Sequence, residues 1–229
     1  MTFRERAALV TGMLGAVGEG VRLRRHALRN DDRRNIPLSR IEPPATPMVI
    51  AAREFLAARC ERVMANHSYR TGFWTMAVLH QHVEVTDQLR ETAWVAALLH
   101  DVGLEVPPSK GDFSLGGVEV LKNLAREHRW SDEQTFDASQ AIATNLSARV
   151  DPAAAGIVSW AMNVGGLAEL GFPLHRAQMH PDRVSELEKR FERTGIREVS
   201  ARLIREEAMR VPGGRFAFFR YLFPFITRG

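Results

Sequence analysis

The sequence predicts an all-α fold, a single-domain bundle of about seven to nine helices. Three observations carry this. Apolar residues recur at helical spacing in one segment after another from Met48 onward. No alternation of polar and apolar residues runs long enough for a convincing strand. Residues that cap helices stand where the helical periods begin.

Residues 1–47 form an N-terminal arm and connector in this reading. Phe3, Ala7, Val10, Leu14, Val17 and Val21 follow a helical spacing weakened by Gly12, Gly15, Gly18 and Gly20, so the arm is a marginal or docking helix. The stretch "IPLSRIEPPATP" at 36–47 carries four prolines, which a helix interior or central strand does not accept; it reads as an extended connector. The helical domain spans 48–215, beginning with one helix at 48–65 and a second from His67 to about His82. Thr86 or Asp87 caps a third helix, which runs to about Asp101 and stops near Gly103, where a left-handed residue would end it. Further helices are expected at 114–128, 132–147, 152–169, 182–193 and 196–210, with Ser131 and Asp151-Pro152 supplying start signals. The tail, 216–229, is dense in aromatics and arginine; core packing or a homodimer contact is its expected use, with a peripheral membrane contact as the alternative.

With 229 residues, 45% hydrophobic and 25% charged, the chain can build a sizeable core in the manner of a soluble globular protein. Its single cysteine, Cys60, excludes an internal disulfide and a cysteine-rich zinc module, so a metal would be held by histidine and carboxylate. The net charge of +4 comes mostly from arginine, densest in "RLRRHALRNDDRR" at 22–34, where Asp31 and Asp32 dilute it. That segment reads as a solvated surface, and nucleic acid is not an expected partner. No convincing targeting segment and no run of about 18 uninterrupted apolar residues is found, so a cytoplasmic location is expected.

One stretch demands a chemical explanation. "WVAALLHDVGLEV" at 94–106 places His100 and Asp101 at the end of a nearly all-apolar helix, where an unpaired carboxylate is costly. Adjacent helical side chains diverge by about 100°, so both reach one ion only if it lies in the wedge between them. His67, 33 residues earlier on the preceding helix, is the leading source of another ligand. Two histidines and an aspartate suit zinc, iron, manganese or nickel. The alternative is that Asp101 merely caps a helix or pairs with an arginine such as Arg70. His80, His82, His128, His175 and His180 lack matching spacing and read as surface or loop residues, while Trp74 and Trp94 read as core.

His67 followed by "LLHDVG" in an all-helical chain resembles the HD-domain superfamily, whose members hold one or two divalent metals through a His, a His-Asp pair and a distal Asp. "NHSYR", "AALLHDVGL", "DFSLGGVEVL", "AIATNLSARV" and "GIVSWAMNVGGLAELG" are similar, in order, to the cyanamide hydratase-like branch, over roughly residues 48–215. The resemblance implies a divalent transition metal on His67, His100, Asp101 and the residue at the distal position, Asn163. It implies hydrolysis or hydration of a small-molecule substrate by a metal-activated water, with Asp101 and Asn145 as catalytic residues. Four positions depart from the pattern. Leu104 follows Gly103 where phosphohydrolases often carry Lys, which argues against a nucleotide. Asn145 stands where the branch usually has His, Ser114 where it tends to have Glu, and Asn163 where the distal Asp would fall. These departures sustain a second reading, a degenerate HD fold serving as a non-catalytic binding or interaction module.

Overall fold

The computed structural model describes residues 3–222. Among them there is no strand, and the all-α class is as the sequence predicts. In chain order the helices are α1 (Phe3–Arg29), α2 (Asp31–Arg34), α3 (Pro47–Arg59), α4 (Arg62–His82), α5 (Asp87–Leu99), α6 (Val102–Glu105) and α7 (Phe113–Glu127). They continue as α8 (Asp132–Thr144), α9 (Pro152–Ala155), α10 (Ile157–Glu169), α11 (Pro173–Arg176), α12 (Pro181–Arg190), α13 (Ile196–Arg210) and α14 (Arg215–Leu222). The count exceeds seven to nine because the single turns α2, α6, α9 and α11, too short to give a period in the sequence, interrupt the connections, and because α14 begins in what the sequence reads as a tail.

The caps behave as their chemistry requires. Thr86 accepts from Leu89 N at 3.1 Å and Ser131 from Gln134 N at 3.2 Å, each satisfying a donor the first turn leaves free. Two boundaries differ from expectation. The 152–169 segment is two helices, because Gly156 takes φ 84° between α9 and α10. The break before His67 lies at Cys60–Glu61, so His67 stands inside α4 rather than at its start.

α4 is the central helix, packed along α10 and α5, with α8 closing the other side of α5 and α10. Fourteen of its residues are buried, which is why its apolar stripe looks diffuse in sequence: a helix covered on most sides has no polar face to mark. Trp74 and Trp94 are fully inside the core, and Trp94 Nε1 donates to the carbonyl of Ile41 at 3.2 Å. That bond, with buried Leu38 and Ile41, fastens the proline-rich connector to the domain. The C-terminal half of α1 is docked as well, through buried Leu23 and Ala27 and a bond from Gln178 Nε2 to Leu23 O at 3.1 Å.

The remaining histidines divide. His128 is exposed, but His175 is buried under α1, and His82 stacks on His26 with ring centroids 4.5 Å apart. Reading these two as surface or loop residues is corrected by the docking of α1, a long-range contact that local spacing does not encode. No helix among the described residues is long and apolar enough to cross a membrane. Of the aromatic tail, 223–229 lie outside the described residues.

Candidate metal centre

The site forms where α5 ends against α4. His100 keeps helical dihedrals (φ −61°, ψ −37°) and Asp101 leaves them (φ −107°, ψ 2°). This change of backbone direction lets two adjacent side chains converge. Asp101 sits at the N-cap of α6 without any side-chain capping bond, so its carboxylate is free for other use.

The turn is held by backbone contact. A Cβ at Gly103 would lie 1.8 Å from the carbonyl oxygen of Phe113, and one at Gly117 would lie 2.6 Å from the carbonyl oxygen of Leu99. α7 is thus wedged directly against the chain on either side of His100 and Asp101, with no side chain between. Gly103 stands inside α6, so its expected role as a left-handed helix terminator is corrected: close approach, not a positive φ, requires glycine there.

His67, His100 and Asp101 come together as expected. His67 Nε2 lies 3.3 Å and His100 Nε2 3.2 Å from the same oxygen, Asp101 Oδ2. Two ligands of one first-row ion, each at about 2.1 Å and separated by 90–110°, stand roughly 3.0–3.4 Å apart. The three donor atoms lie within 4.8 Å of one another and can hold a metal ion. His67 and His100 are 8% and 2% exposed, so the donors lie inside the protein rather than on a solvated face.

The protonation pattern supports the fit. His100 Nδ1 is 2.8 Å from the carbonyl oxygen of Ala97, which can only accept, so Nδ1 carries the proton. Nε2 is then the nitrogen that faces Asp101 Oδ2 at 3.2 Å, where a proton or a metal ion between the two atoms would satisfy both. In the metal-free protein His67, whose Nε2 is 3.3 Å from the same oxygen, supplies positive charge beside the carboxylate. Burial alone would lower its pKa, but the charges of Glu169 and Asp101 outweigh it and push the ring up to about 10. Burial likewise opposes ionisation of Asp101, yet the neighbouring His100 and His67 hold its carboxyl well below the usual range.

Behind His67 lies a residue not singled out by motif reasoning. Glu169, at the end of α10, is completely buried and bridges His67 Nδ1 through Oε2 at 3.0 Å and Arg70 Nε through Oε1 at 2.7 Å. The contact to His67 is a close ion pair without hydrogen-bond alignment, since neither Nδ1 nor Oε2 has an aligned partner. Arg193 Nη1 adds a third cation, 2.9 Å from Oε1. Arg70 therefore pairs with Glu169, and its suggested pairing with Asp101 is corrected. The available signal was "GGLAELG", a carboxylate at the end of an apolar helix, the same anomaly that marks His100–Asp101.

The two asparagines occupy different places. Asn145, at the end of α8, directs Nδ2 to Asp101 Oδ1 at 3.4 Å, a long bond that puts its amide at the edge of the centre. Asn163, buried in α10, donates Nδ2 to the carbonyl of Ser147 at 2.7 Å. Ser114 donates to Asp112 at 2.6 Å and accepts from Arg215 at 2.9 Å, within an ion pair that joins α14 to the start of α7.

Comparison with known proteins finds no matching family model and no matching curated sequence. The site's own geometry therefore carries the functional reading.

Proposed function

We propose that this protein is a metal-dependent hydrolase or hydratase of the HD-domain type, acting on a small molecule. The observation that supports it is the convergence of His67 Nε2 and His100 Nε2 on Asp101 Oδ2, at 3.3 and 3.2 Å. His67, His100 and Asp101 would hold the ion, with Asn163 proposed as a neutral fourth ligand through its carbonyl oxygen. A bound zinc, iron, manganese or nickel ion supplies Lewis acidity, bringing the pKa of a coordinated water toward neutrality and polarising the bond attacked.

The chain's residues do the rest. Ala97 O fixes the tautomer of His100. Asn145, beside Asp101 Oδ1, orients the water or substrate with its amide; an amide is no base, so Asp101 Oδ1 is the proposed proton acceptor. Addition of water to a nitrile-like carbon and hydrolysis of an ester both satisfy this set of roles. Leu104 puts no cation beside the His-Asp turn, which speaks against a phosphate substrate.

The test is metal analysis of the purified protein followed by a screen of nitriles and esters. Near-stoichiometric transition metal, lost in His100→Ala, supports the reading. Metal below about a tenth of an equivalent, unrestored by supplementation, overturns it and leaves a scaffold that binds without catalysis.

A further inference from the structure

Glu169 is a buried carboxylate flanked by two arginines and a histidine, and its two oxygens are divided among them. Oε1 accepts from Arg70 Nε at 2.7 Å and from Arg193 Nη1 at 2.9 Å. Both arginines are tied down elsewhere. Arg70 also donates to the carbonyls of Phe191 and Glu192 at 3.0 and 2.9 Å, and Arg193 to that of Glu169 at 2.8 Å. Oε2 has no aligned hydrogen-bond partner and stands 3.0 Å from His67 Nδ1. The carboxylate is thus clamped through one oxygen with the other held against the histidine's far nitrogen.

A ring that holds its proton on Nδ1 must present its lone pair at Nε2, and that is the atom 3.3 Å from Asp101 Oδ2. A carboxylate that receives the far N–H of a metal-ligating histidine fixes its tautomer and ring orientation and raises ligand basicity; Oε2 stands at that position, 3.0 Å from Nδ1. We infer that Glu169 is a positioning residue for the metal centre: clamped by Arg70 and Arg193, it holds the His67 ring turned so that Nε2 faces Asp101 Oδ2 and is offered to the ion. This role rests on the metal reading proposed above. It also links the centre to the segment between α12 and α13, because Arg193 lies there and reaches both the side chain and the carbonyl of Glu169.

His100 supplies an internal control, since its Nδ1 proton goes to Ala97 O and has no contact with Glu169. The experiment compares wild-type protein with Glu169→Gln, using Co²⁺ titration monitored by visible absorption and ¹⁵N-histidine NMR of the Zn²⁺-loaded protein. Co²⁺ affinity is expected to fall by roughly 10- to 100-fold in Glu169→Gln, and the His67 Nδ1 resonance should move while that of His100 stays. Glu169→Asp is the second variant: it keeps the charge that Arg70 and Arg193 need but withdraws the oxygen from His67 by one methylene, and the same weakening is expected. Wild-type protein that binds no Co²⁺ overturns the metal centre and this role with it. Wild-type binding matched by a folded variant, with an unmoved His67 resonance, overturns the role of Glu169 alone. Equal movement of His67 and His100 also overturns it, because general loosening, not positioning, would then explain the loss.

Discussion

His100 and Asp101 are neighbours in sequence whose side chains meet: Nε2 of the first lies 3.2 Å from Oδ2 of the second, while His100 Nδ1 is fixed on Ala97 O. His67 Nε2 stands 3.3 Å from the same oxygen, and the three donor atoms together could hold a metal ion. Replacing His100 by Ala removes one of three donors and leaves the helix end intact. Metal affinity should fall at least about 100-fold with helicity unchanged, measured by chelator competition and circular dichroism. Retained affinity would falsify the assignment of His100 as a ligand.

The metal-free protein should be most stable in mildly acidic solution. His67 is raised from 6.5 to about 10, mainly because Glu169 outweighs the effect of burial, so its contribution is complete below 6.5 and disappears as pH climbs through about 10. Glu169, which burial alone would raise, is instead brought down from 4.5 to about 2 by His67 and the arginines; its contribution is present above 4.5 and is lost as pH falls through about 2. Melting temperatures in EDTA should therefore be highest between about 4.5 and 6.5 and decline toward 10. A flat profile from pH 6 to 10 would rule out the charged His67–Glu169 pair.

Gly103→Ala tests the backbone wedge behind the centre. Its Cβ would fall 1.8 Å from Phe113 O, a backbone atom that cannot swing away as a side chain can. The expected loss is about 3 kcal/mol or more, a fall in Tm of roughly 6–12 °C for a domain of this size. Gly18→Ala in α1 is the control, since a Cβ there meets nothing within 4 Å and helix propensity improves. Equal Tm values for the two variants would contradict the packing of α6 on α7.

Asn163→Asp separates a ligand from a core amide. The carboxylate would lose the donor now 2.7 Å from Ser147 O, costing the metal-free protein about 1–3 kcal/mol. If Asn163 is the fourth ligand, the added charge raises metal affinity at the same time. Isothermal titration with Zn²⁺ reads this directly: unchanged affinity removes Asn163 from the ligand set.

Much of the fold was legible locally. Helical periods and cap residues are properties of a few consecutive residues, so α5, α7, α8 and α13 lie within a few residues of their predicted ranges. The His100–Asp101 pair was conspicuous for a related reason: charge inside an apolar run contradicts its surroundings in the sequence itself. The break at Gly156 and the single-turn helices leave no periodic signal in the sequence, because each depends on one or a few residues.

What the sequence determined by itself was the helical class, the order of the long helices and three donors suited to a metal. Tertiary structure decided how those donors meet and what stands behind them. Glu169 reaches His67 across 102 positions, and Arg70 turns to it instead of Asp101, because α4 and α10 lie side by side through the core. His175 became buried because α1 folds back over the domain. The physical reason is common to all three. Periodicity encodes which face of a helix is apolar, but the partner of a buried charge is chosen by helix packing, and packing brings together residues that no local spacing relates.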